Sequence, residues 1–96
     1  MSSQLRIYSI KDGLFDDFVA FWRAEIVPLR RGFGFEVAGA WADPQTRTFA
    51  WVVSHPDFEQ AAADYYDSPG RKSLSRDPGE FIESSDLRLM ETVDPG

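Results

Sequence analysis

The stretch from Gly34 to His55 restricts the fold more than any other part of the chain. Two strand-like runs flank Asp43-Pro44-Gln45-Thr46, whose residue types form turns. In the first run Phe35, Val37, Gly39 and Trp41 share one face by alternation, and Glu36, Ala38, Ala40 and Ala42 share the other. In the second, Phe49, Trp51, Val53 and His55 alternate with Thr48, Ala50, Val52 and Ser54. A hairpin that aligns the bulky faces has one aromatic face and one small, alanine-rich face. Both are mostly apolar, and a sheet apolar on both sides must be covered on both sides. One helical layer covers only one of them.

The rest of the chain supplies that layer. Leu5-Arg6-Ile7-Tyr8-Ser9-Ile10 is rich in β-formers and ends at Lys11-Asp12-Gly13. Asp12 is the expected N-cap of the next helix, with Asp16 and Asp17 complementing its positive end. Phe15, Phe18, Trp22, Ile26 and Leu29 recur at helical spacing. Pro28 is expected to distort the last turn, because its ring clashes with the carbonyl of Ala24. Gly32 and Gly34 then stop the helix.

A second helix is expected over about Asp57 to Asp67, capped by Ser54 or Asp57, with Phe58, Ala61, Ala62, Tyr65 and Tyr66 on its apolar side. Pro69-Gly70 and Pro78-Gly79 bracket an irregular stretch with one helical turn near residues 71–75. Residues 75–86 read as a loop. Leu87-Arg88-Leu89-Met90 anchors the final strand, and Asp94-Pro95-Gly96 is a frayed end. The order βαββαβ is that of a ferredoxin-like plait: an α+β fold with an antiparallel sheet and two helices on one face.

Size and charge narrow the function classes. The 96 residues make a single domain, 1–96. A net charge of −6 disfavours nucleic acid and anionic membrane surfaces. Arg30-Arg31 and Arg71-Lys72 read as charges at helix C-termini. No apolar run approaches a membrane span, and the first residues lack a signal-peptide pattern, so a cytoplasmic location is expected. With no cysteine there are no disulfides, thiolate metal sites or cysteine nucleophiles. Eight Phe, three Tyr and three Trp, at about 150–250 Å² each, are more than one small core readily hides. A pocket or a subunit interface should use some of them.

The strand Gly34-Phe35-Glu36-Val37-Ala38-Gly39-Ala40-Trp41, together with Leu5-Arg6-Ile7-Tyr8 and the helix end Ile26-Val27-Pro28-Leu29-Arg30, resembles the NIPSNAP family over roughly residues 4–75. That family belongs to the dimeric α/β-barrel group. The resemblance implies a homodimer in which two sheets face each other and close a barrel, burying more than about 1,200 Å² in total. It implies no settled activity. The same group contains cofactor-independent monooxygenases and haem-degrading enzymes, the latter resembling one another through an Asn, a Trp and a His. This sequence has no asparagine, which speaks against haem chemistry despite Trp22 and His55.

Few residues invite chemistry. His55 is the only histidine, and Asp57 two residues on is a plausible orienting partner for it as a general base. The plainer reading is a corner histidine that caps a helix or faces solvent. One His without a compact carboxylate cluster makes no metal set, and no cofactor site is visible. Gly32-Phe33-Gly34 follows a helix and precedes a strand, the reverse of a dinucleotide fingerprint. Tyr8, Trp22, Trp51 and His55 are the candidate pocket residues, although aromatics at such spacing are more often plain core. An inward Arg6 or Arg88 would need a carboxylate or a bound anion, and a structural ion pair, for instance with Glu36, is the leading expectation. The functional expectation is a small apolar or aromatic ligand or an interaction role. The alternative is a cofactor-independent monooxygenase acting on a small aromatic or quinone-type substrate.

Overall fold

Four strands, β1 (Ser2–Ile10), β2 (Glu36–Asp43), β3 (Thr48–His55) and β4 (Ile82–Glu91), form one antiparallel sheet in the order β2-β3-β1-β4. The computed structural model describes every residue from Met1 to Gly96. Between β1 and β2 the chain runs through α1 (Phe15–Phe21), a π-helical turn (Trp22–Ile26) and α2 (Val27–Gly32). After β3 come α3 (Phe58–Asp67), the single turn α4 (Pro69–Lys72) and a 3-10 turn (Pro78–Glu80). This is the ferredoxin-like α+β plait that the strand and helix order indicates.

Pro28 acts earlier in its helix than the sequence suggests. It has no N–H to give, and its ring crowds the preceding turn. The chain accommodates it by widening that turn: Val27 N–H donates to the carbonyl of Trp22, five residues back. Ile26, Val27 and Arg30 are all buried beyond the widened turn. The helix is not capped by Asp12. Leu14 stands at the N-cap without a side-chain hydrogen bond, and Asp12 pairs with Arg47 at 3.5 Å across the hairpin end.

The hairpin register settles which aromatics face the helices. Val37 lies opposite Val53, but Gly39, not Ala38, lies opposite Val52, so Ala38 is bulged out. An extra residue reverses the alternation beyond it. Phe35 and Val37 therefore stay on the helix side, whereas Trp41 sits opposite Ala50 on the outer side and is 62% exposed. Trp41 does not share a face with Phe49 and Trp51, contrary to simple alternation. Its indole folds back over Gly39, where an added Cβ would come within 3.2 Å of the ring.

The last strand begins at Ile82, not Leu87, so the second part of the expected 75–86 loop is strand. Glu83-Ser84-Ser85-Asp86 hides this from a hydropathy reading. At the sheet edge, β4 needs only backbone bonds to β1 to hold its place, and nearly all its side chains stay exposed. The loop before it is tied to the helical layer by Glu25, whose carboxylate accepts from the N–H of Ser75 at 2.9 Å and from its hydroxyl.

The core lies between helices and sheet. Tyr8, Ile10, Phe18, Phe35, Phe49, Trp51, Val53, Tyr65 and Phe81 are almost fully buried there, many of them edge to face. The opposite face of the sheet has no layer over it. Leu5, Ile7, Trp41, Ala50, Val52 and Met90 lie on that side by register.

Candidate functional site

A cleft opens where the two helical segments diverge over β1 and β3. Its free volume is about 50 Å³. Tyr8 from β1, Trp22 from the π turn and Trp51 from β3 line it, so three of the four residues singled out as pocket candidates come together.

His55 does not join them. Its Nδ1 accepts from the backbone N–H of Asp57 at 2.9 Å, and its Nε2 lies 3.2 Å from the carbonyl oxygen of Phe33. With Nδ1 accepting, Nε2 carries the proton and donates. Both ring nitrogens thus serve the backbone of the strand-to-helix corner. The Asp57 side chain makes no bond to the ring. His55 is outside the cleft lining.

What the cleft has instead is arginine. Arg6, Arg30 and Arg71 line it, and no Asp or Glu does. Arg6 shares the helix-side face of β1 with Tyr8. Its Nε donates to the Tyr8 hydroxyl at 2.6 Å and its Nη1 to Gln4 Oε1 at 2.6 Å. It has no carboxylate partner. Glu36 cannot serve, because it lies opposite Ser54 on the other face of the sheet. Arg88 faces the outer side beside Asp86, at 3.3 Å. The expected structural ion pair for an inward arginine is therefore absent.

Arg30 is buried to 2% exposure. Its guanidinium lies 4.0 Å from the Tyr65 ring centroid and 4.9 Å from that of Phe35. Nη2 donates to the Tyr66 hydroxyl at 3.1 Å, but Nε and Nη1 have no partner. The indole N–H of Trp22 is likewise buried without an acceptor. Reading Arg30 as a helix-end charge missed this. The signal was present: Trp22, Ile26 and Arg30 follow one another at four-residue intervals along the apolar stripe.

The electrostatics follow from this packing. Burial pushes the Arg30 guanidinium down, and the Arg6 charge adds to that effect. For Arg6, burial also acts downward but is outweighed by Tyr8 and Tyr66, which leave it above its usual value. Burial would raise the Tyr66 phenol, yet Arg6 and Arg30 outweigh it and hold the group below its ordinary range. Tyr65, deeper in the core, is raised by burial. No group of His, Cys, Asp and Glu side chains with metal-binding geometry is present.

A ferredoxin-like protomer with an aromatic, arginine-bearing cleft between its layers is the class that fold and site define. Comparison with known proteins places it further. No family model matches the sequence, and no curated protein matches it. Among solved structures, an uncharacterised NIPSNAP domain protein from Burkholderia xenovorans superposes with a TM-score of 0.83 at 12% identity, covering 100% of this chain and 98% of that one. A NIPSNAP family protein of unknown function from Agrobacterium tumefaciens gives 0.83 at 16% identity, covering 100% and 91%. An antibiotic biosynthesis monooxygenase gives 0.75 at 17% identity, covering 98% and 100%. The chain has the fold of the NIPSNAP proteins, which it shares with monooxygenase-like structures.

Proposed function

We propose that this chain is a NIPSNAP-like protein whose cleft between helices and sheet binds a small aromatic molecule. The observation that supports this reading most is the lining itself. Trp22 and Trp51, in edge-to-face contact at 5.5 Å, line the cleft together with the polar-tipped Tyr8 and Tyr66. The free volume is about 50 Å³, smaller than the roughly 150 Å³ that accommodates benzene, so even a one-ring ligand enters only as the lining side chains move apart. Binding should move the indole N–H signals of Trp22 and Trp51 in a nitrogen-labelled sample and leave that of Trp41 in place. A titration with one-ring aromatics that moves none of the three would remove the proposal.

The proposed assembly is a homodimer through the bare sheet face. Leu5, Ile7, Val52 and Trp41 form its apolar centre, and the charges of Asp86 and Arg88 cancel beside them. A second copy of the same face would cover this patch. Sedimentation equilibrium at micromolar concentration is expected to give a dimer; a monomer at all concentrations refutes it. A cytoplasmic location fits a chain in which no helix is long and apolar enough to cross a membrane.

A second reading is a cofactor-independent monooxygenase acting on a small aromatic or quinone-type substrate. The likeness to an antibiotic biosynthesis monooxygenase and the lowered Tyr66 phenol at the cleft favour it. Tyr66, not His55, would then accept the substrate proton. Oxygen uptake with an aromatic quinol, above its spontaneous oxidation and lost in Tyr66→Phe, is the test.

A further inference from the structure

The cleft has donors without acceptors. Arg30 Nε and Nη1 and the Trp22 indole N–H have no partner at all. The Tyr8 hydroxyl already accepts from Arg6 Nε at 2.6 Å and from Trp51 Nε1 at 3.1 Å, so its own proton is left to give. The Tyr66 hydroxyl accepts from Arg30 and also retains a proton. Gln4 Oε1 is occupied by Arg6. Sixteen acidic residues give the chain its net charge of −6, yet none lines this cleft beside its three arginines.

Aromatic stacking does not account for this arrangement. Tyr65 and Phe35 cover the faces of the Arg30 guanidinium, but Nε–H and Nη1–H lie in its plane and point past those rings. A purely structural cation–π arginine needs its faces covered. It gains nothing from edge donors held dry, and buried N–H groups nearly always have a partner. A negatively charged group rich in acceptors would satisfy these donors.

Resting on the aromatic-ligand reading above, we propose that the ligand is a one-ring aromatic acid whose carboxylate lies between Arg6 and Arg30 while its ring packs against Trp22 and Trp51. A carboxylate supplies two oxygens with four lone pairs, and the guanidinium fork matches that geometry. With a free volume of only about 50 Å³ the cleft must open to admit one ring, and larger acids would demand more. The surrounding phenol and indole donors take the lone pairs that the arginines leave.

Benzoate and its neutral counterpart benzamide separate the two claims. Titrated into the labelled full chain at matched ionic strength, benzoate is expected to bind at least roughly 10-fold more tightly than benzamide. Both should move the indole signals of Trp22 and Trp51. Only benzoate should move the Nε–H signals of Arg6 and Arg30. In Arg6→Met or Arg30→Met the preference for benzoate over benzamide should vanish. The Nε–H readout on the unaltered protein stands even if a variant fails to fold. Equal affinities overturn the acid proposal and leave the aromatic cleft in place. Inorganic phosphate displacing benzoate with equal affinity overturns it as well, in favour of a bare anion site. Silence of Trp22 and Trp51 with both probes overturns both claims.

Discussion

The two faces of β3 are opposite solutions to one problem. On the helix side, Phe49, Trp51 and Val53 are buried at 2%, 1% and 0% exposure, locked among other rings. On the outer side, Ala50 and Val52 sit with Leu5 and Ile7 under no layer of their own chain. The inner face is crowded with aromatics and also holds the unpartnered donors. The outer face carries mostly small aliphatic side chains beside Trp41, with Glu36, Asp43, Asp86 and Arg88 around them. Their difference shows that an apolar surface can be a finished core on one side of a strand and an unfinished one on the other. The finished side bears the proposed ligand cleft, and the unfinished side bears the proposed contact with a second copy.

The largest expected effect contrasts the two exposed-or-buried tryptophans. Trp51→Ala removes a fully enclosed ring and its hydrogen bond to Tyr8, and should cost about 3–5 kcal/mol in urea unfolding. Trp41→Ala, studied at a dilution where the chain is monomeric, should stay within about 0.5 kcal/mol. Comparable costs for the two would erase the distinction between the faces.

Next in size is Trp41→Glu, which places a charge at the centre of the proposed interface. Self-association should weaken by roughly 30-fold or more, as for a hot-spot residue, measured by sedimentation equilibrium. Unchanged association would move the dimer contact elsewhere.

Arg30→Met tests the inner face. If the guanidinium is kept for binding, an apolar side chain of similar length should fold equally well or gain about 1 kcal/mol, because the unpartnered buried donors disappear. Thermal and urea unfolding would show it. A loss of several kcal/mol would instead mark Arg30 as a structural cation–π residue against Tyr65.

The smallest effect is alkaline. The folded Tyr66 phenol lies below its unfolded value of about 10. Its stabilisation is therefore absent at neutral pH, where both states keep the proton. It grows as pH rises through the folded value, is complete above the unfolded value, and is lost again as pH falls back through the folded value. Tyr66 is 44% exposed, which limits the size of the effect. Ultraviolet titration of the three tyrosines should show one early phenolate, and that early step should shift upward in Arg30→Met.

Much of the architecture is legible in the sequence. The alternation in Thr48–His55 and the helical spacing of Phe15, Phe18, Trp22 and Ile26 report local geometry directly, so β3 and the first helix are read with their correct inner faces. Trp22, Trp51 and Tyr8 share the core side for the same reason. Trp41 is misread because one bulged alanine reverses every side chain after it, and a bulge leaves no mark in composition. The start of β4 is missed because an exposed edge strand has no apolar pattern to show. His55 looks chemical by residue type, but its two nitrogens are taken by backbone groups that only the folded corner brings to it.

Arginine marks the boundary between the two kinds of knowledge. The sequence by itself placed Arg6 on the same strand face as Tyr8 and Arg30 four residues beyond Ile26, although Arg30 reads there only as a helix-end charge, because helical and strand periods are properties of the local backbone. It also determined that both sheet faces are apolar. Only the tertiary structure decided that Arg6 and Arg30, from elements far apart in the chain, line one cleft with no carboxylate among them. Periodicity fixes the direction of a side chain relative to its own element, whereas the charge it meets there depends on which other elements pack against it.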